Sequence, residues 1–172
     1  MRRWCGRREL LLTVSAEPPD QPEIVALLAE SDAFSAALYP PESRRPVSIG
    51  WLAGQSVRFL VARREERAVG CGALVIGADG AGELKRLIVS ANARAQGIGA
   101  ALLAALENLA RAAGLQVLRL ETGPKSIVAL ALYRRAGFVQ RGPFGDYAAG
   151  IHSVFMEKWL VAPGPSGATP RK

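Results

Sequence analysis

ARAQGIGAALL, residues 93–103, sets two glycines, Gly97 and Gly99, directly ahead of a run with helical spacing. Glycine inside a helix costs about 1 kcal/mol against alanine, so a pair at a helix start points to a backbone that must be bare there. The stretch before it, 83–90 (ELKRLIVS), has strand character. After it, Ile98, Leu102, Leu106, Leu109 and Ala113 form one helical stripe that stops at Gly114. The chain thus passes from strand through a glycine loop into a helix. The first N–H groups of a helix have no partner within it, and the helix dipole adds about half a positive charge at that end. Without side chains at 97 and 99, phosphate oxygens can approach those donors closely, and Arg94 adds a cation. The reading is a pyrophosphate cradle with the spacing Arg94-x-x-Gly97-x-Gly99. A Walker A loop needs GK[ST] where Ala100-Ala101 stand, and a Rossmann loop needs a third glycine where Leu102 stands. On these residues alone, a glycine-containing turn without a ligand is the alternative.

Working outward, 9–15 (ELLLTVS) suits a strand. Asp20 is available as a helix cap and Pro22 fits a first turn, followed by Ile24, Leu27, Leu28, Phe34 and Leu38 at helical spacing until Tyr39-Pro40-Pro41. Residues 40–56 read as a loop, with room for a short helix around Trp51. Runs 57–63 and 68–76 are strands joined by the charged turn Arg64-Glu65-Glu66-Arg67, and the turn 77–82 leads into 83–90, completing an antiparallel meander. Beyond the long helix come a strand (115–121), a helix (126–136, closed by Gly137) and a last strand pair (138–141 and 152–159). A right-handed crossover sets the fourth and fifth strands parallel. The expected fold class is therefore mixed α/β, a mostly antiparallel sheet of about seven strands with a parallel strand 4/strand 5 pair and flanking helices.

A length of 172 residues gives one domain with a real core. We place it at 9–160, after a basic N-terminal extension (1–8) and before a Pro/Gly-rich tail (161–172) expected to be disordered. Four arginines within 1–8, with Arg171 and Lys172, account for six of the seven net positive charges. With aromatics at only 6%, the basic ends read as solvated tails, not as a nucleic-acid surface. The apolar run 10–16 is too short to span a bilayer and contains Thr13 and Ser15, so a strand is a better reading than a signal peptide. Two cysteines, no CxxC pattern and a single histidine, His152, give neither a disulfide framework nor a metal site, and the reducing cytoplasm fits.

With the Arg94–Gly99 spacing, the element order and the landmark ALYRRAGF at 131–138, the chain resembles the GCN5-related N-acetyltransferase (GNAT) superfamily over roughly 9–160. The segments LYPPES (38–43), PFGDY (143–147) and SVFMEK (153–158) are most similar to a bacterial branch of it. The resemblance implies an acetyl-CoA-dependent N-acetyltransferase in which a primary amine attacks the thioester directly. A small-molecule amine is the first expectation, a protein lysine or N-terminal amine the second, and a non-catalytic coenzyme A sensor the third; homodimers are common in the fold. It implies Glu83 as leading general base, with Glu121 as rival base or substrate contact, and Tyr133 as the acid that protonates the thiolate. Leu87 would supply the oxyanion N–H, with Ile88 and Val89 pairing with the pantetheine arm. Arg94, Ala95, Gln96, Gly97, Ile98, Gly99 and Ala100 would hold the pyrophosphate. Ser126 stands where many members carry an asparagine that contacts the coenzyme. Glu42, Ser43, Asp146 and Tyr147 are acceptor-side candidates. Residues 148–152 lack the acidic, proline-bearing turn expected before SVFMEK, so acceptor recognition there is expected to differ.

Overall fold

Among the described residues seven runs become strands: β1 (Leu12–Ala16), β2 (Val57–Arg64), β3 (Arg67–Ile76), β4 (Ala81–Val89), β5 (Val117–Thr122), β6 (Val139–Arg141) and β7 (Val154–Trp159). Four helices accompany them: α1 (Pro22–Leu38), α2 (Ile49–Leu52), α3 (Ile98–Ala112) and α4 (Ile127–Arg135). The computed structural model describes residues 11–161; the extension at 1–8 and the tail from 162 lie outside the described residues. One sheet holds the strands in the order β1-β2-β3-β4-β5-β7-β6. Every neighbouring pair is antiparallel except β4–β5, which the crossover through α3 makes parallel. Among the described residues no helix is long and apolar enough to cross a membrane.

Side chains alternate across the sheet, and each face has its own core. On one, α3 and α4 pack Ile98, Leu102, Leu106, Leu130 and Tyr133 against Leu74, Leu84, Leu118 and Leu120. On the other, α1 and α2 bring Ile24, Leu27, Leu28 and Leu52 onto Phe59, Val61, Cys71 and Ala73. The α3 seam follows the i, i+4 row Ile98–Leu102–Leu106–Ala110, with Leu103 beside it. Leu109 is only half-buried and Ala113 is exposed, so the contact row is turned slightly from the expected stripe.

Three local expectations are corrected. Asp20 does not cap α1: the cap is Gln21, without a side-chain cap bond, because its amide is engaged by Glu17, the Pro18 carbonyl and Arg63. Phe34 is 50% exposed and outside the core; its ring instead lies under the Arg94 guanidinium, 5.4 Å from the centroid. His152 sits in the turn before β7, edge-on to Tyr39 at 6.1 Å, and not in a strand.

Tyr39 ties the end of α1 to the β5–α4 turn. Its hydroxyl accepts a hydrogen bond from the Lys125 N–H (2.8 Å), and the Lys125 ammonium donates to the Leu38 carbonyl (3.0 Å). A Cβ on Gly123 would lie 2.1 Å from the Tyr39 hydroxyl oxygen, so this contact requires glycine.

Candidate active site

The glycine loop leads from β4 into α3. After β4 the chain makes a 3-10 turn at Ala91–Ala93, then Ala95 (φ 59°) and Gly97 (φ 79°) adopt left-handed conformations before α3 begins. The first helical bond runs from the Ala101 N–H to the Gly97 carbonyl (3.0 Å), so the amides of Ile98, Gly99 and Ala100 have no acceptor within the helix. The two glycines serve different ends. Gly97 is needed for its positive φ, and a Cβ there would meet nothing within 4 Å. At Gly99 a Cβ would lie 3.3 Å from Leu132 of α4 and 3.7 Å from Val89, so its bareness lets α4 and the end of β4 close on the helix start. Arg94 is exposed, donates to the Val89 carbonyl (3.4 Å), and forms no ion pair among the described residues. Gln96 accepts from Arg64 and donates to the Asn92 carbonyl (3.3 Å), which braces the loop.

Next to this cradle the sheet splits. β4 and β5 pair only from Ala81↔Val117 to Leu84↔Leu120. On the other edge of β4, Cys71 pairs with Ile88 and Ala73 with Lys85, so Arg86 and Leu87 together face Gly72 in a β-bulge. Arg86 has φ 55° and is held by Asp32 of α1; a Cβ on Gly72 would lie 2.9 Å from Leu106 and 3.1 Å from Leu87. Beyond Leu84, already ahead of the bulge, the edge of β4 that faced β5 has no strand partner among the described residues. Leu87, Ile88 and Val89 are all half-buried there.

On the α1–α2 face lies a cavity of about 500 Å³, lined by Arg45, Pro46, Val47, Trp51, Glu83, Lys85 and the loop Phe144–Gly145–Asp146–Tyr147. Strand alternation places Glu83 and Lys85 on this one face. Their side chains form a triangle with Tyr147. The Lys85 ammonium is 2.7 Å from Glu83 Oε1 and donates to the Tyr147 hydroxyl (2.6 Å), which donates to Glu83 Oε1 (2.5 Å). Burial and the Glu83 carboxylate push the Tyr147 phenol well above the ordinary tyrosine range. Its ring rests on Phe144 (5.0 Å) and Phe155 (5.6 Å), and the Arg45 guanidinium lies 4.5 Å from its centroid.

Glu121 follows the last β4–β5 pair by one residue, where the strands part. Burial raises its carboxyl above the usual range, against a hydrogen bond from Ser153 and the charges of Lys85 and Arg45. Tyr133 is buried on α4 beside Phe138, centroids 5.7 Å apart, and burial pushes its phenol up. Ser126 is at the cap position of α4 but makes no side-chain cap bond.

Of the sequence candidates, 94–100 form the loop, 87–89 the split edge, and Glu83 and Tyr147 the triangle, with Glu121 on β5 just past its last pair with β4; Tyr133 and Ser126 belong to α4 and its cap. Asp146 lines the cavity. Glu42 and Ser43 form a 3-10 turn and are not among the cavity residues; the Ser43 hydroxyl donates to the Pro40 carbonyl (2.9 Å). Sequence reasoning missed Lys85, Arg45, Trp51 and Phe144 as cavity residues. Lys85 was legible from the two-residue period of β4. Arg45 lies in a loop and Trp51 in the four-residue helix α2, too short to show a periodic signal.

The chain is similar to known proteins over most of its length. The acetyltransferase (GNAT) family model matches residues 24–138. An IAA acetyltransferase of Azospirillum brasilense is 47% identical over 150 residues, covering 87% of this chain and 98% of that one. The N-acetyltransferase YsnE of Bacillus subtilis, itself uncharacterized, is 32% identical over 80% of this chain and 93% of its own. A solved Klebsiella pneumoniae structure, assigned as an acyl-CoA N-acyltransferase, superposes with a TM-score of 0.75 at 38% identity, covering 88% of this chain and 99% of that one. The PaiA N-acetyltransferase of Thermoplasma acidophilum, solved in complex with coenzyme A, shares the fold at 22% identity (TM-score 0.71; 87% and 99% covered). With its split sheet, glycine-started helix and family match over most of its length, the chain belongs to the acetyltransferase (GNAT) family and is an acyltransferase.

Proposed function

We propose that this protein transfers the acetyl group of acetyl-coenzyme A to the primary amine of a small molecule by direct attack. The observation that carries the reading is the continuity of three features along β4: unpartnered helix-start amides, a bare strand edge, and a cavity bearing carboxylates. Acetyl-coenzyme A supplies an acyl group already activated as a thioester. The space at Gly97 and the free donors beside it fit a diphosphate. In this reading Arg94 and the amides of residues 95–100 hold that group, and Ser126 at the start of α4 borders it. The Ile88 and Val89 edge aligns the pantetheine arm. The Leu87 N–H, at the bulge, meets the charge that develops on the acyl oxygen.

Proton handling falls to three side chains. The sequence put Glu83 first as base, but two donors already occupy its Oε1. We therefore assign proton acceptance to Glu121, which stands where the strands part and whose carboxyl burial raises above the usual range. Glu83 then anchors Lys85 and Tyr147. Tyr133, kept protonated by burial, gives its proton to the departing sulfur. In balance, the N–C bond forms, the C–S bond breaks, the amine proton goes to Glu121 and the sulfur takes one from Tyr133.

A cavity of about 500 Å³ has the size of a small-acceptor site, and the name of the Azospirillum relative accords with that. The test is a panel of small amines and lysine peptides read by free thiol and acetylated product together. Product from small amines supports the reading. Product from peptides alone makes this a protein acetyltransferase, and coenzyme binding without turnover makes it a sensor.

A further inference from the structure

The cavity holds four charged side chains, Arg45, Glu83, Lys85 and Asp146, and they are not equivalent. Glu83 and Lys85 neutralise each other at 2.7 Å. Asp146 is exposed on the loop rim. Arg45 is different. It forms neither an ion pair nor a side-chain hydrogen bond to an acid among the described residues, although other cations of this face are matched: Arg119 with Asp79 (2.9 Å) and Arg141 with Glu157. Arg45 is exposed, as Asp146 is, but its guanidinium is stacked on a ring. The guanidinium lies 4.5 Å from the Tyr147 centroid, and Tyr147 is itself held by Glu83, Lys85, Phe144 and Phe155. A guanidinium stacked on a pinned ring keeps its planar fork of donors for a carboxylate.

We propose that the acceptor is an aminocarboxylate: an amine that also bears a carboxylate, bound by Arg45, with an apolar or aromatic body against Phe144, Trp51 and Val47. This rests on the acyl-transfer reading above and adds the acceptor's class to it. The acceptor carboxylate is unchanged in the reaction; only its amine forms the new N–C bond as the C–S bond breaks.

The experiment compares matched pairs, phenylalanine with phenethylamine and tryptophan with tryptamine, in steady-state acetylation by the wild-type protein and by Arg45→Met. A charge-assisted contact of this kind is worth about tenfold or more, so wild type should favour the carboxylate member of each pair in kcat/KM by that factor, mostly through KM. In Arg45→Met the ratio should fall to about one. Phenylacetate, which has the carboxylate but no amine, should compete with the acceptor in wild type and lose that competition in the variant. Acetylation of both members at equal efficiency by wild type overturns this proposal and leaves acyl transfer standing. A carboxylate preference that survives Arg45→Met also overturns it. Failure to acetylate any amine while coenzyme A still binds overturns both.

Discussion

Replacing Gly97 separates backbone strain from occlusion of the cradle. Gly97 sits at φ 79° with nothing within 4 Å of where a Cβ would stand. Gly97→Ala therefore clashes with no protein atom, and its stability cost is that of a left-handed alanine, about 1–2 kcal/mol. Asparagine tolerates that region better, so Gly97→Asn should lose less than alanine does. Binding should respond in the opposite order. The open space at Gly97 adjoins the free amides of Ile98, Gly99 and Ala100, where we place the diphosphate. A side chain there displaces oxygens from those donors. Losing one charge-assisted hydrogen bond removes about 2 kcal/mol, near thirtyfold in Kd, and the larger asparagine should weaken coenzyme A at least as much as alanine. Urea unfolding gives the first quantity and calorimetry with coenzyme A the second. A Gly97→Asn protein that binds coenzyme A as tightly as wild type would refute the cradle.

Other outcomes follow from the same structure. Glu121→Gln should remove the rise of kcat/KM with pH, because rate increases as Glu121 sheds its proton above the usual carboxylate range; an unchanged profile assigns the proton elsewhere. The same shift has a stability sign. The native state holds the Glu121 proton more tightly than the unfolded chain, so its contribution falls as pH rises from the ordinary carboxylate range through the native pKa, and Glu121→Gln should flatten that slope in denaturation curves. Glu17 has the reverse sign: Arg63 beside it lowers its carboxyl, so stability present above the ordinary carboxylate range is lost on acidification, and Glu17→Gln should make acid unfolding less steep. Tyr133→Phe should lower kcat with little change in coenzyme A affinity; equal loss of both in calorimetry and kinetics would make Tyr133 a packing residue. Gly123→Ala should destabilise by about 1–3 kcal/mol, because its Cβ would stand 2.1 Å from the Tyr39 hydroxyl oxygen; thermal unfolding checks it.

Much of this was legible in the chain because it depended on period and punctuation. The change from two-residue to helical spacing around Gly97 located β4 and α3, and the strand–helix–strand order fixed the parallel pair. What stayed hidden arises where distant segments meet. The bulge at Arg86–Leu87 depends on Gly72 yielding space to Leu106 and Leu87, which no local pattern reports. Phe34 fitted the helical stripe of α1, yet Arg94, sixty residues on, claims its ring. Lys85 entered the cavity by strand alternation, but its bond to Tyr147 required the loop before β7 to fold back over β4. Arg45 gave no signal at all, since a charged residue in a proline-rich loop is ordinarily solvated.

The most direct test of the central claim is an amide-resolved NMR titration with coenzyme A. The account predicts that the N–H resonances of Ile98, Gly99 and Ala100 move strongly downfield as phosphate oxygens accept from them, with smaller shifts at Leu87, Ile88 and Val89. Saturable binding that leaves the three helix-start amides unmoved would contradict it.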